Sequence, residues 1–252
     1  HLEAGQKYEY RIQSDVGEVA GPYEFWTWPE MANDYSTPAD NDSLRLWILG
    51  DPGVNSQLSS AVRRSAENWL QKHRRPAKPL LDLWLTTGDN AYTSGRNREY
   101  QDAIFEPYQA WLTRFALIPA YGNHDARRWA FFDIFEFPEQ GESGGLASGS
   151  EHYFAIELGS MHIVVIDSLA DDFSPDSPMV RWLQADLTLT QARWKLALFH
   201  YPPYSRGSHD SDDGAGSDWR MPAIRKQILP ILEFYGVDLV LSGHSHAYES
   251  SH

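Results

Sequence analysis

Short polar clusters, four of them opening on a glycine, stand at the ends of the predicted strands of this chain. They occur in order at residues 50–53 (GDPG), 88–92 (GDNAY), 122–125 (GNHD), 200 (H) and 243–246 (GHSH). Ligand sites of open α/β sheets lie at the carboxyl ends of their strands. Glycine lets the backbone turn sharply there and deliver a short side chain into a shared crevice. The pattern therefore predicts a single site assembled from distant parts of the chain.

Apolar runs of strand length alternate with longer amphipathic runs from residue 44 onward, and they predict strands and helices in turn. The predicted strands are Leu44–Leu49, Leu81–Thr86, Ala116–Ala120, Trp194–Phe199 and Val237–Leu241, with a hairpin of Tyr153–Leu158 and His162–Asp167. The predicted helices are Gln57–Lys72, Arg98–Arg114, Met179–Leu187 and Ile224–Tyr235. Strands alternating with helices indicate an α/β domain, and the hairpin makes its sheet mixed.

The first 29 residues show a different pattern. Alternating apolar and polar residues at 8–12 and 23–27 predict a β-hairpin. Because two strands alone are marginally stable in water, we expect this hairpin to be the end of a domain whose beginning is missing. The predicted division is 1–29 for that incomplete domain, 30–43 for a Pro-, Asn- and Asp-containing linker, and 44–252 for the α/β domain.

Composition excludes several functional classes. The chain has no cysteine, which removes disulfide scaffolds, thiolate-bound metals and cysteine nucleophiles. Its formal net charge of −14 argues against a general nucleic-acid binder. The one basic cluster, residues 72–75, falls where a helix is predicted to end and complements the helix dipole. No apolar run reaches the length of a membrane span.

Seven potential metal ligands stand in or beside the strand-end clusters. Each alone is weak evidence, because a Gly-Asp pair is often a turn and a single His is often a core residue. Together they favour a site for Zn, Fe or Mn, which accept oxygen and imidazole ligands. Seven ligands exceed a single tetrahedral site, so the set predicts two metals that share a carboxylate. The residues are Asp51, Asp89, Tyr92, Asn123, His200, His244 and His246.

The five ordered motifs resemble those of the purple acid phosphatases, which belong to the calcineurin-like metallophosphoesterases. The resemblance implies a layered αββα sandwich of two mixed sheets, preceded by the last strands of a fibronectin-like β-sandwich. It further implies that Asp51, Tyr92 and His246 bind Fe(III), that Asn123, His200 and His244 bind a divalent Zn, Fe or Mn, and that Asp89 bridges the two ions. A family member would continue beyond residue 252 into further strands.

Three further residues receive roles through this resemblance. His124 is expected to contact the phosphate and assist the leaving group. Asp125 either orients the His124 imidazole or caps a helix. His209 is either a second substrate contact or a plain surface-loop histidine, because Asp210 replaces the His that the family often has next. The acidic loop at 209–219 is expected to be solvated. His73, His152 and His162 are expected to be structural.

The implied function is hydrolysis of phosphate monoesters, with metal-bound hydroxide attacking phosphorus in line. Alternatives are a phosphodiesterase or pyrophosphatase of the same superfamily, and a non-catalytic metal-binding or adhesion module that keeps the fold. The expected partner is a small-molecule phosphate ester, with no nucleic acid and no membrane span. The expected location, by resemblance, is secreted or periplasmic.

Overall fold

A computed structural model describes residues 2–29, 43–213 and 219–251 of the chain. The predicted linker at 30–43 therefore lies almost wholly outside the described residues. The strands are β1 (Lys7–Ser14), β2 (Gly17–Trp26), β3 (Leu46–Leu49), β4 (Leu83–Thr86), β5 (Leu117–Pro119), β6 (Phe154–Leu158), β7 (Met161–Val165), β8 (Trp194–Leu198) and β9 (Leu239–Leu241). The helices are α1 (Gln57–Lys72), α2 (Asn97–Tyr100), α3 (Gln109–Leu112), α4 (Ala130–Ile134), α5 (Pro178–Leu189), α6 (Arg220–Gln227) and α7 (Leu229–Phe234).

Two sheets form the centre of the molecule. Strands β3, β4 and β5 pair in that order and are parallel. Strands β6 to β9 also pair in order, with β6 antiparallel to β7 and the remaining pairs parallel. The α/β prediction is confirmed. The prediction of two mixed sheets differs in one detail, because the described part of the first sheet is purely parallel.

The alternation of side chains along the strands produces four layers. Leu83 and Leu85 of β4 share a buried cluster with Ile156 and Ile163 of the second sheet, so the two sheets face each other. Trp84 points to the opposite face. The outer clusters contain Trp84 with Leu70 and Trp111 on one side, and Val164 with Val180 and Ile224 on the other. Helices therefore cover both outer faces, as the αββα prediction requires.

Two predicted helices are interrupted where the sequence carries proline. The run at 98–114 becomes α2, a π-helical turn (Gln101–Phe105) and α3. The run at 224–235 becomes α6 and α7. Pro107 and Pro230 explain both breaks, because proline lacks the N–H group that would donate to the preceding turn. The uninterrupted α1 matches its prediction and is capped by Ser56, whose side chain accepts a hydrogen bond from the Ser59 backbone nitrogen.

The N-terminal hairpin forms as predicted, and β1 pairs antiparallel with β2. It packs against the α/β domain, where the Tyr10 hydroxyl donates to the Thr113 carbonyl at 3.1 Å. A cavity of about 420 Å³ lies along this contact, between Trp26 and Trp28 on one side and Leu81 and Phe115 on the other. Membership of the hairpin in a fibronectin-like domain stays a prediction. Among the described helices, none is long and apolar enough to cross a membrane.

Candidate metal centre

The strand-end clusters meet at one edge of the two sheets. Residues after β3, β4 and β5 supply one side, and residues after β8 and β9 supply the other. Close approach of the loops depends on glycine at several positions, of which Gly122 and Gly53 are examples. A Cβ at Gly122 would overlap the backbone nitrogen of Asp89, and a Cβ at Gly53 would lie 2.7 Å from the Asp89 carbonyl oxygen. Larger residues there would force the candidate ligands apart.

Asp89 lies at the middle of the assembled side chains and is buried. Its Oδ2 atom lies 3.1 Å from the Tyr92 hydroxyl, which is also 2.9 Å from His246 Nε2 and 3.3 Å from Asp51 Oδ1. Its Oδ1 atom lies 3.5 Å from His200 Nε2. The two oxygens of one carboxylate therefore face two different groups of candidate ligands.

The second group surrounds the Asn123 side chain. Its Oδ1 atom lies 2.9 Å from His200 Nε2 and 3.0 Å from His244 Nδ1. The atoms that could hold a cation in Asp89, His200 and His244 all lie within 4.8 Å of one another, and so do those in Asp51, Asp89 and His246. All seven predicted ligands are thus brought together, in the two predicted groups with Asp89 common to both.

Four of these residues adopt a backbone conformation that residues other than glycine rarely adopt. Asp51, Asp89, His244 and His246 have φ angles of 48°, 52°, 70° and 50°. Residues other than glycine in this left-handed region cost of order 1–3 kcal/mol each, and such residues cluster at functional sites. Apart from the neighbouring glycines, no sequence pattern predicts this strain. It indicates that the surrounding structure holds the side chains in place.

The electrostatics of the centre are unfavourable for protein groups alone. Burial, followed by repulsion from Asp89, raises the pKa of Asp51 to about 7. Burial and the carboxylates of Asp51 and Asp89 raise the pKa of the Tyr92 phenol far above its ordinary value. Bound cations would reverse both effects, because an opposite charge stabilises the ionised form.

The hydrogen bonds of His200 test whether this donor set fits a cation. Its Nδ1 donates to the Thr87 carbonyl at 2.8 Å, and burial lowers the pKa of the ring and keeps it neutral. The Nε2 atom therefore carries a lone pair, which faces the Asn123 amide oxygen. Two acceptors at 2.9 Å repel each other unless a cation binds them. Oxygen and imidazole donors arranged in this way fit Zn, Fe or Mn.

His124 lies beside the centre and its ring is oriented by a backbone carbonyl. Its Nδ1 donates to the Thr93 carbonyl at 2.7 Å, and its Nε2 is 4.0 Å from Asp89 Oδ2. Its backbone nitrogen donates to Asp89 Oδ1 at 2.8 Å. The ring therefore presents Nε2 toward the space above the shared carboxylate.

Asp125 has a different role from either one predicted. Its fully buried carboxylate accepts hydrogen bonds from the Tyr100 hydroxyl, the Asn90 backbone and side chain, and the Gly122 backbone. The His124 ring uses Thr93 instead, so the expectation that Asp125 orients this imidazole is corrected. Asp125 anchors the turn that carries His124, and burial raises its pKa to about 7.

His209 packs against a candidate ligand. Its ring centroid is 4.0 Å from that of His244, with 31° between the planes. Its backbone nitrogen donates to Ser245 Oγ, in the middle of the 243–246 motif. This placement puts the His209 ring beside the candidate ligands, and a contact with substrate stays a prediction.

The remaining predicted features lie in ordinary structural settings. In the acidic loop at 209–219, Asp210 and Asp212 pair with Arg206 at 3.0 and 2.8 Å. Residues 214–218 lie outside the described part of the chain. His73 contacts the Trp69 carbonyl, and His152 pairs with Asp167.

A family profile matches most of the chain. The profile of the calcineurin-like phosphoesterases covers residues 44–248. The chain belongs to the calcineurin-like phosphoesterase family. The matched range begins at residue 44, and it contains every candidate ligand.

Curated relatives place this calcineurin-like phosphoesterase near the purple acid phosphatases, which confirms the predicted resemblance. It is 32% identical to purple acid phosphatase 1 of Ipomoea batatas over 99% of the chain and 50% of the relative. It is 33% identical to a phosphoenolpyruvate phosphatase of Allium cepa over the whole chain and 49% of the relative. The chain thus spans about half the length of the curated relatives it matches.

A solved structure shares the fold. Purple acid phosphatase PPD1 from yellow lupin (Lupinus luteus) seeds aligns with 96% of this chain and 44% of its own, with a TM-score of 0.64. The sequence identity is 16%, so this likeness concerns the fold alone. It agrees with the layered architecture that the core clusters show.

Proposed function

We propose that this chain is the catalytic part of a two-metal hydrolase of phosphate monoesters. The observation that carries the proposal is the position of Asp89, whose two oxygens face two separate groups of candidate ligands. Two cations that share a carboxylate supply Lewis-acid chemistry and activate water when bound. All seven candidate ligands are present and converge, which argues against a non-catalytic module.

The chemistry of the two groups supports different ions. Tyr92, Asp51 and Asp89 offer a phenol oxygen and two carboxylates, a hard anionic set that favours a trivalent ion such as Fe(III). Asn123 and two imidazoles offer a more neutral set that suits divalent Zn, Fe or Mn. His246 completes the first set, since its Nε2 lies 3.7 Å from Asp51 Oδ1.

His124 is the proposed proton donor to the leaving group. Because the Thr93 carbonyl takes the Nδ1 proton, a second proton on the ring must lie on Nε2. That atom faces the space above Asp89, where the ester oxygen of a substrate would lie. His209 is the proposed second contact with the substrate, since its ring packs against that of the candidate ligand His244.

The substrate class and location are parts of the same proposal. The net charge of −14 argues against a nucleic-acid substrate, so the proposed substrate is a small phosphate ester. The purple acid phosphatase relatives favour a secreted or periplasmic location. A phosphodiesterase or pyrophosphatase remains the alternative within the same chemistry.

The test is turnover by metal-replete protein on matched substrates. We expect phenyl phosphate to be hydrolysed faster than diphenyl phosphate or inorganic pyrophosphate. His124→Ala should keep its metal content and lose roughly 10²- to 10⁴-fold in turnover, the usual scale for an acid–base group. The loss should shrink for nitrophenyl phosphate, whose leaving group needs less protonation. Faster turnover of the diester or of pyrophosphate would reassign the activity, and loss of metal in His124→Ala would make His124 a ligand.

A further inference from the structure

Arg127 lies directly beside His124, although no motif draws attention to it. Residues Asp125–Arg127 form a 3₁₀ turn that directly follows His124. Side chains three residues apart eclipse one another in such a turn. Arg127 Nη2 consequently lies 3.5 Å from His124 Nε2, the atom that faces the proposed leaving group.

The same carbonyl holds both side chains. Arg127 Nη1 donates to the Thr93 oxygen at 3.0 Å, next to the 2.7 Å bond from His124 Nδ1. The Thr93 carbonyl therefore fixes one end of the guanidinium and leaves Nη2 beside His124 Nε2. Asp125, buried beneath the turn, anchors this arrangement through Tyr100 and Gly122.

The charge of Arg127 is not neutralised by the protein. Among residues 2–29, 43–213 and 219–251, no carboxylate lies within ion-pair distance of this side chain, which is exposed. Acidic residues outnumber basic ones by 35 to 21 in this chain, and Arg206, Arg220 and Arg225 are each paired with an aspartate. A guanidinium left open here can pair with an anion from solution.

The position of His124 defines which part of a substrate Arg127 would meet. His124 Nε2 has Asp89 on its buried side, at 4.0 Å, and Arg127 on its exposed side. The phosphoryl group belongs on the buried side, where the candidate ligands lie. Arg127 therefore lies where the organic part of the ester would leave the site.

We propose that Arg127 is a specificity-determining residue that binds a second anionic group on the leaving part of the substrate. This inference rests on the proposed function. The preferred substrates are phosphate monoesters whose leaving group carries a carboxylate or a further phosphate close to the ester oxygen. Guanidinium pairs well with either, because its planar donors match both geometries.

The experiment compares 2-phosphoglycolate with its neutral amide on metal-replete protein. We expect the wild type to prefer the carboxylate, and Arg127→Ala to reduce the ratio of the two kcat/KM values about 10-fold, the scale of a charge-assisted hydrogen bond partly open to water. Arg127→Lys should keep part of the preference. Arg128→Ala is the matched control, since it removes the same charge from the next residue, whose guanidinium contacts the Arg127 carbonyl. Its ratio should match the wild type.

A binding measurement separates this inference from the proposed function. Calorimetry should show that phosphonoacetate binds more tightly than methylphosphonate, and that Arg127→Ala removes most of this difference without any turnover being needed. Equal losses for both ligands, or for both esters, would show that Arg127 contacts the phosphoryl group or only supports the loop, and would overturn the inference. A wild type that hydrolyses neither ester yet prefers phosphonoacetate would refute the proposed function and keep the role of Arg127.

Discussion

Two buried clusters of imidazoles and carboxylates in this protein differ in how their charges are satisfied. One is the candidate metal centre, and the other surrounds the fully buried His162. His162 lies between two acidic residues, with Nε2 2.6 Å from Asp186 and Nδ1 2.7 Å from Glu157. Burial opposes the charge on the ring, but the hydrogen bonds that the ring donates to Asp186 and Glu157 outweigh it and raise its pKa to about 9. This cluster is thus neutralised largely by its own members.

The candidate metal centre shows the opposite pattern. Its acceptor atoms face one another, as Asn123 Oδ1 and His200 Nε2 do, and its Asp51 carboxylate has a raised pKa. Four of its residues hold a left-handed backbone, whereas His162, Asp186 and Glu157 do not. The comparison shows that a structural cluster provides its own counter-charge, while a binding site is built to receive one from outside.

The largest expected effect comes from removing the shared carboxylate. Asp89→Ala should lose both ions and at least about 10³-fold in turnover, because each cation contributes several kcal/mol to the chemistry. Asn123→Ala should chiefly lose the divalent ion. Metal counting on the purified variants is the measurement, and an Asp89→Ala protein that keeps two tightly bound metals would end the bridging assignment.

A substitution in the His162 cluster should lower the stability of the protein and leave the metal centre unchanged. Asp186→Ala leaves His162 with one acidic partner and frees the Leu146 backbone nitrogen that donates to Asp186 at 2.7 Å. We expect a loss of about 3–5 kcal/mol in the free energy of unfolding, typical of a broken buried pair. Metal content per folded molecule should be unchanged. If Asp186→Ala instead released metal, the two clusters would not be independent.

The pH dependence of the free energy of unfolding should reveal the protonation of His162 in the same cluster. The folded pKa of His162 is about 9, above its unfolded value near 6.5, so the folded state holds the proton more tightly. Its contribution, on the order of 3 kcal/mol, is fully present below about pH 6.5 and is lost as pH rises through 9, by at most about 1.4 kcal/mol per pH unit. Urea unfolding at several pH values should show this slope, and His162→Gln should remove it. Equal slopes in the two proteins would mean that His162 is neutral.

The smallest change in stability is expected for a substitution at Tyr92, together with the loss of a visible absorption band. Tyr92→Phe removes the oxygen that lies 2.9–3.3 Å from His246, Asp89 and Asp51. The stability of the metal-free protein should change by less than about 1 kcal/mol. A phenolate bound to Fe(III) absorbs visible light, so the iron-loaded wild type should be coloured and the variant should not. A colourless wild type, or a variant that keeps the band, would point to two divalent ions.

Much of the candidate site could be predicted because its residues occur in local motifs. The glycine before Asp51, Asp89, Asn123 and His244 marks a sharp turn at a strand end, and strand ends meet at one edge of a sheet. The helix breaks were also visible in principle, since Pro107 and Pro230 stand inside runs that periodicity alone predicts to be continuous. Arg127 could have been found from its three-residue spacing to His124, given the short turn.

The sequence by itself determined which side chains reach the sheet edge, because that depends on short motifs and on the alternation of apolar and polar runs. Only the tertiary structure decided what those side chains do there. The proton position on His200 depends on Thr87, the orientation of His124 depends on Thr93, and the charge on His162 depends on Asp186. Each partner is set by packing between elements distant in the chain, and no local pattern encodes the distance between them.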